Sequence, residues 1–262
     1  MTTLTVDQGP TADAAAPRPR TPLHRVLNVV KLQLGNPQTT IVVPWMILGF
    51  IFVVNLLIWV IINAATTGQD SIDARNGLQY SGASFYIFVY MLVVAIQAFS
   101  ITFRFAIGFG STRRDYWLGS ALTFVILAVI FAVGITLLSV IEVATGGWGL
   151  GGRMFSAVYF GDIWWQRMLV FFFGLLFVLF VGSLFAAVWV RWKATGMIVL
   201  FGVIGLLALG LVAVMTVSHS WTSLGSVRAG TTPLGIASWL LVPAAIAALA
   251  GFLILRRATA RA

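Results

Sequence analysis

The chain alternates between long apolar stretches and short segments that hold most of its charges. A membrane-spanning helix needs about 20 mainly apolar residues to cross a hydrocarbon core of roughly 30 Å. Six stretches meet this length, near residues 40–64, 83–107, 117–143, 168–190, 196–217 and 235–255. None shows the short alternating segments typical of a transmembrane β-barrel. The pattern therefore predicts an all-α integral membrane protein with six transmembrane helices in one domain, residues 37–257.

The basic residues between the apolar stretches predict how the chain is oriented. The larger set comprises Arg18, Arg20, Arg25, Lys31, Arg104, Arg113, Arg114, Arg191, Lys193, Arg256, Arg257 and Arg261. The opposite connections hold Arg75, Arg153, Arg167 and Arg228. Cytoplasmic connections carry an excess of Lys and Arg, so both termini are predicted to be cytoplasmic. Trp148, Tyr159, Trp164 and Trp165 then fall at the outer interface, and Trp117, Trp189 and Trp192 at the inner one.

A separate amphipathic helix is predicted at residues 21–36, before the first span. Thr21 and Pro22 suit its first positions, and Gly35 and Pro37 suit its end. An apolar stripe recurs with helical spacing, at Leu23, Val26, Leu27, Val30 and Leu34. The segment is too short and too polar to span, so we expect it to lie in the cytoplasmic interface, as an anchor or as a brace that touches a partner.

Composition supports a membrane protein and narrows its chemistry. The chain is 60% hydrophobic and 9% charged, whereas soluble domains carry about 25% charged residues. Its net charge of +9 is explained by topology and anionic lipid, so no nucleic-acid partner is expected. It has no cysteine, which excludes disulfides and thiolate sites. Residues 1–20 are predicted to be a disordered cytoplasmic tail, and residues 258–262 a short second tail.

The segment GFGSTRRDYWLG, residues 108–119, concentrates charge between two long apolar stretches. Charges at the centre of a bilayer are costly, so this break is predicted to be a cytoplasmic loop. Thr112 can cap a helix, with Asp115 three residues later in the reciprocal capping pattern. A short helix is therefore predicted to begin at Arg113. The arginines would either enforce topology or form a rigid surface that a soluble protein grips.

Together with the predicted topology, the stretch GFGSTRRDYWLGSAL resembles the ABC type-2 transporter permeases. The resemblance covers residues 21–257 and implies an ATP-driven exporter in the cell membrane, coupled to two copies of a separate ATP-binding subunit. It also implies a second permease chain, identical or different. The residues implied to form the coupling helix are Gly110, Arg113, Arg114, Asp115 and Tyr116, with Tyr116 and Trp117 as the side chains that anchor it. Arg191, Trp192 and Lys193 would belong to the second inner loop.

The chain carries no phosphate-loop motif, so ATP and its Mg²⁺ are expected in the partner and no cofactor in this chain. It is accordingly predicted to be a transport subunit and not an enzyme. Residues 147–152 satisfy G-x-G-x-x-G outside a βαβ unit and are predicted to be a flexible turn. His24 and His219 lie on opposite sides of the membrane, so no metal site is expected. An ion-driven secondary transporter and a non-transporting scaffold or sensor remain alternatives.

Polar residues within the apolar stretches are candidates for a transport path or an interface. The candidates are Asn55, Asn63, Tyr90, Gln97, Arg104 and Glu142. Polar groups in spans usually face other helices, because lipid cannot satisfy them. Interhelical hydrogen bonding is therefore one interpretation, and lining of a dimer interface where cargo passes is the other. Glu142, near the outer end of its span, would either reach water or couple to protons.

Overall fold

The computed structural model describes residues 22–67, 73–74, 76–108, 110–220 and 230–257, and this part of the chain is all-helical. The helices are α1 (Pro22–Gln33), α2 (Val43–Ala65), α3 (Tyr86–Gln97), α4 (Phe103–Gly108), α5 (Arg113–Ala144), α6 (Trp164–Val217), α7 (Pro233–Trp239) and α8 (Leu241–Arg257). The predicted tails lie outside the described residues. The amphipathic helix predicted before the first span is present as α1.

Four helical segments of the described chain are long and apolar enough to cross a membrane: Gln38–Ala65, Arg113–Ala144, Trp164–Val217 and Pro233–Arg256. The second predicted span is divided, because the π-helical turn Ala98–Thr102 separates α3 from α4. The fourth and fifth predicted spans are merged in α6, which has 54 residues. Lys193 interrupts α6 with φ 55° and ψ −140°, well outside the helical region.

Helix α5 packs against α6, α1 and α8, and α6 packs in addition against α8, α3 and α7. Small residues allow these helices to approach closely. A Cβ on Gly119 would lie 2.6 Å from Val29 Cβ of α1, and a Cβ on Gly182 of α6 would lie 2.8 Å from the Leu92 carbonyl oxygen of α3. Both glycines are therefore required by the contact and not by an unusual backbone conformation.

Three elements that carry the larger basic set meet at one end of the helical bundle. Arg25 of α1 contacts Asp115 at the start of α5. Arg113 Nη1 donates a hydrogen bond to the Arg256 carbonyl at the end of α8, at 3.1 Å. The first residues of α1 and the last of α8 thus lie near the start of α5. We call this the basic end of the bundle. The opposite end, where α5 finishes, is called the outer end, a name taken from the predicted topology.

Candidate functional site

The turn before α5 has the predicted cap, but the helix that follows is not short. Gly110 has φ 79°, a conformation that glycine adopts without strain. Thr112 Oγ1 accepts a hydrogen bond from the Asp115 backbone N–H at 3.1 Å, and the helix begins at Arg113. It then continues for 32 residues to Ala144. The expectation of a separate short coupling helix is therefore wrong, because the apolar periodicity of the span runs unbroken from the cap.

Asp115 faces the interior of the protein. Its carboxylate Oδ2 lies 3.3 Å from Arg25 Nε, and its side chain is 9% exposed. The acid thus pairs with α1 and is not presented to another protein, which corrects its assignment to the docking surface. An ion pair with one partner 40% exposed is worth little stability, at most about 1 kcal/mol. Its effect is to fix where α1 sits on α5.

Tyr116 is fully buried, so it cannot form the anchor that the resemblance implies. Its ring packs edge-on against Phe99 and Phe103. Its hydroxyl donates to the Ala98 carbonyl at 2.6 Å. Gln33 of α1 then donates to the Ser120 hydroxyl at 2.6 Å and more weakly to the Tyr116 hydroxyl. These bonds lock α1, the end of α3 and the start of α5 into one unit, which we call the inner clasp.

The remaining residues of the segment divide between contact and exposure. Trp117 is half-buried, with its ring centroid 5.2 Å from that of Phe252 in α8. Arg113 reaches the end of the same helix. Arg114 is exposed. Of the predicted docking residues, Gly110 and Arg114 are thus the ones left facing outward beside the inner clasp.

The second predicted inner loop is a sharp break in α6. The guanidinium of Arg191 lies 4.4 Å from the Trp192 ring centroid, a cation–π contact. Arg191, Trp192 and Lys193 are all exposed. Trp192 and Val188 line a small cavity with Ile254 of α8, which places this break at the basic end as well.

At the outer end, Glu142 organises the connection between α5 and α6. It has no exposed surface. Its carboxylate accepts hydrogen bonds from the backbone N–H groups of Met154, Phe155 and Ser156 at 2.8–3.2 Å. The Ser156 hydroxyl and the Trp148 indole N–H donate to it as well, at 2.7 and 3.3 Å. We call this arrangement the outer clasp. The interpretation that Glu142 reaches water is therefore wrong, and the alternative of proton coupling stays a prediction.

The outer clasp also fixes the turn at residues 147–152. Gly149 N–H donates to the Thr145 carbonyl at 3.0 Å, and Gly151 N–H to the Gly146 carbonyl at 3.2 Å. Asn63 of α2 donates to the Leu150 carbonyl at 3.2 Å. The turn is present as predicted, but its backbone groups are hydrogen-bonded, which is not the arrangement of a flexible linker. Gly147, Gly149 and Gly151 adopt the positive φ angles of the turn.

Arg167, predicted only to lie in an outer connection, is a buried cation at the same end. It is 3% exposed. Its guanidinium donates to the Gly161 carbonyl at 2.8 and 3.2 Å and to the Ser139 hydroxyl of α5 at 2.9 Å. Glu142, on the same face of α5, attracts it electrostatically. A buried charge requires such partners, so Arg167 holds the start of α6 against α5.

The other path candidates are engaged within the chain. Ser81 donates to Asn55 Oδ1 at 3.3 Å. The Tyr90 hydroxyl donates to the Thr39 carbonyl at 2.7 Å, which joins α3 to the turn before α2. Gln97 is exposed and is also a residue with an interaction partner. The side chain of Arg104 lies outside the described residues. Asn55, Asn63 and Glu142 therefore have hydrogen-bond partners within the chain, and a path or dimer interface at these residues stays a prediction.

An apolar cavity of about 1000 Å³ lies near the outer end, between α6 and α7. Its walls include Phe88, Tyr159, Phe177 and Trp239. This is at the upper end of the volumes of small-molecule sites. Among the described residues no group of three or more His, Cys, Asp or Glu is placed to hold a metal ion.

Comparisons of the chain with protein-family models, with curated proteins and with solved structures gave no match.

Proposed function

We propose that the chain is a membrane-embedded permease subunit that works with a separate ATPase, with six crossings and both termini in the cytoplasm. At 1.5 Å per residue, the 54 residues of α6 extend for about 80 Å. This is more than twice the roughly 30 Å hydrocarbon core, so α6 supplies two crossings that reverse at Lys193. Helices α3 and α4 together supply one more. The excess of Lys and Arg at the basic end supports the proposal that this end of the bundle faces the cytoplasm.

The inner clasp is the observation that carries this proposal. A soluble partner can move a membrane helix only if the surface it contacts is rigidly joined to that helix. The clasp joins α1 to the first residues of α5 through Arg25–Asp115 and Gln33–Ser120. Helix α5 then continues to Ala144 without interruption. A displacement applied beside Arg114 would thus pass along a whole transmembrane helix to the outer clasp.

The coupling that follows is a rigid-body change. ATP binding would draw two ATPase subunits together, and each would move the inner clasp of one permease chain. Two permease chains would form the path between them. The part of α6 after Lys193 has many exposed apolar side chains: Leu206, Leu207 and Leu209 are about two-thirds exposed. A second permease chain or lipid would cover them. Export as the direction rests on the resemblance to the ABC type-2 permeases.

The test is purification of the tagged chain from its native membrane in a mild detergent. We expect a soluble protein with a phosphate-loop motif to copurify in equal amount. The variant Arg114→Glu should lose it, because Arg114 is exposed and has no described role in the fold. Arg153→Glu, at the outer end, is the matched control and should retain it. A well-folded parent that carries no such protein would refute the proposal and favour an ion-driven transporter or a scaffold.

A further inference from the structure

A polar cavity lies at the level of the inner clasp, on the side of α3 that faces the junction of α1 and α2. It is a cavity of about 220 Å³, which we call the polar groove. Its polar lining residues are Gln33, Asn36, Thr39, Thr40, Gln97, Thr102 and Thr123. Among the described residues that line it, none is charged. The rest of the lining is apolar and includes Val94 and Phe124.

The groove contains polar groups whose capacity the fold does not use. Gln33 donates through Nε2 to Ser120, but its Oε1 is buried and accepts no hydrogen bond. Asn36 and Thr39 are exposed. Gln33 Oε1 is shielded from the groove, so the polar side chains that a ligand there can reach include those of Asn36 and Thr39.

The location of the groove selects the kind of molecule that can reach it. Gln33, Asn36 and Thr39 lie where the interfacial helix α1 turns into the first membrane helix. Gln97 is at the same level, because the Tyr116 hydroxyl bonds to Ala98 and is itself contacted by Gln33. A junction between an interfacial and a spanning helix lies at the headgroup region of the bilayer. Molecules present there are lipids with their headgroups at this depth.

The chemistry of the lining selects the headgroup. Phosphate is bound by Arg, Lys or clustered backbone N–H groups, and the described lining offers neither cation. Amide and hydroxyl side chains both donate and accept hydrogen bonds, as sugar hydroxyls do. We infer that the polar groove binds the uncharged, hydroxyl-rich headgroup of a membrane amphiphile whose acyl chains stay in the bilayer. As a point of cargo entry it rests on the proposed permease function, whereas binding itself does not.

The test is photolabelling of the full chain in phosphatidylcholine nanodiscs with a monoglucosyl diacylglycerol that carries a photoreactive acyl chain. Labelled peptides are identified by mass spectrometry. Unlabelled monoglucosyl diacylglycerol, diacylglycerol, phosphatidylglycerol and soluble methyl glucoside are the competitors. We expect labelling near residues 33–40 and 94–102, with competition by the glucolipid alone. Competition by methyl glucoside at comparable concentration would show that the site takes a free sugar, and equal competition by the other lipids that it has no headgroup preference; either overturns the inference.

Variants test whether the glucolipid binds in the polar groove. Gln97→Leu should weaken the apparent affinity about tenfold, as expected for one or two lost hydrogen bonds. Gln38→Leu, the same change at an exposed residue outside the lining, should leave it unchanged. Thr39→Val keeps the side-chain shape and decides the matter if Gln97→Leu does not fold. Unchanged affinity in both groove variants, or no labelling in the parent, overturns the inference.

The two proposals fail separately. Specific glucolipid labelling without a copurifying ATPase leaves the binding site and refutes the permease. A copurifying ATPase with no labelling leaves the permease and removes this site.

Discussion

Replacement of Glu142 by glutamine should open the outer connection, and the size of the effect follows from the hydrogen bonds. The glutamine amide would keep one acceptor oxygen, sufficient for the Phe155 and Ser156 donors. Its amide nitrogen would then face the Met154 N–H and the Trp148 indole, which now bond to Glu142 Oε2 at 3.0 and 3.3 Å. Two donors would lose a charged acceptor at about 1.5–3 kcal/mol each. Local opening should therefore become easier by about 3 kcal/mol or more.

The chain contains no cysteine, so one introduced thiol reports this opening directly. Ala157 has no exposed surface, so a thiol in Ala157→Cys reacts with a maleimide only when the connection opens. About 3 kcal/mol corresponds to roughly a 100-fold faster reaction when opening is fast. Asp162→Asn, which removes a carboxylate from an exposed side chain nearby, is the matched control and should change the rate little. Equal rates in the Glu142→Gln and parent backgrounds would refute the outer clasp.

Three further outcomes are expected. Gly119→Ala should destabilise the protein by about 1–3 kcal/mol in thermal unfolding, because the added Cβ would clash with α1. Gly49→Ala, with open space around it, should not destabilise the protein. Equal effects of the two variants would contradict the close packing of α1 on α5. A double-mutant cycle of Arg25→Gln and Asp115→Asn should give a coupling below about 1 kcal/mol that falls further in high salt, since the pair is partly exposed; a coupling that salt leaves unchanged would contradict this. Burial raises the pKa of the Tyr159 hydroxyl above 10.0 in the folded chain. As pH rises, the unfolded chain therefore loses this proton first, which lowers the free energy of unfolding. The stability that the protonated Tyr159 contributes is complete below pH 10 and is lost as pH rises above it. The melting temperature of the parent should fall more steeply above that pH than that of Tyr159→Phe; identical slopes would contradict it.

Local signals in the sequence predicted the beginnings of helices well. Thr112 followed by Arg113 predicted the start of α5, and the apolar periodicity of residues 21–36 predicted α1. The stripe predicted for α1 includes Leu23 and Leu27, which remain exposed. The face that packs on α5 is instead centred on Val29. Periodicity shows that a helix has an apolar side, but it does not show which neighbour covers it.

The roles of Asp115, Tyr116 and Glu142 could not be read from the sequence for a related reason. Each is decided by partners distant along the chain: Arg25 for Asp115, the Ala98 carbonyl for Tyr116, and backbone N–H groups for Glu142. Backbone donors leave no trace in the residue types, so a carboxylate that they surround looks the same in sequence as one that faces water. The need for glycine at position 119 could not be predicted either, because it arises from the close approach of α1.

The most direct measurement of the central claim is site-specific photocrosslinking from position 114 in native membranes. A photoreactive amino acid replaces Arg114, with Arg153 as the matched position at the outer end, and crosslinked proteins are identified by mass spectrometry. We predict that position 114 captures one soluble protein with a phosphate-loop motif, that the yield changes when ATP is added, and that position 153 captures none. The contradicting result is a chain that is expressed in membranes where the parent folds normally but captures no ATPase at position 114. The surface beside the inner clasp would then not be the place where ATP binding exerts its force.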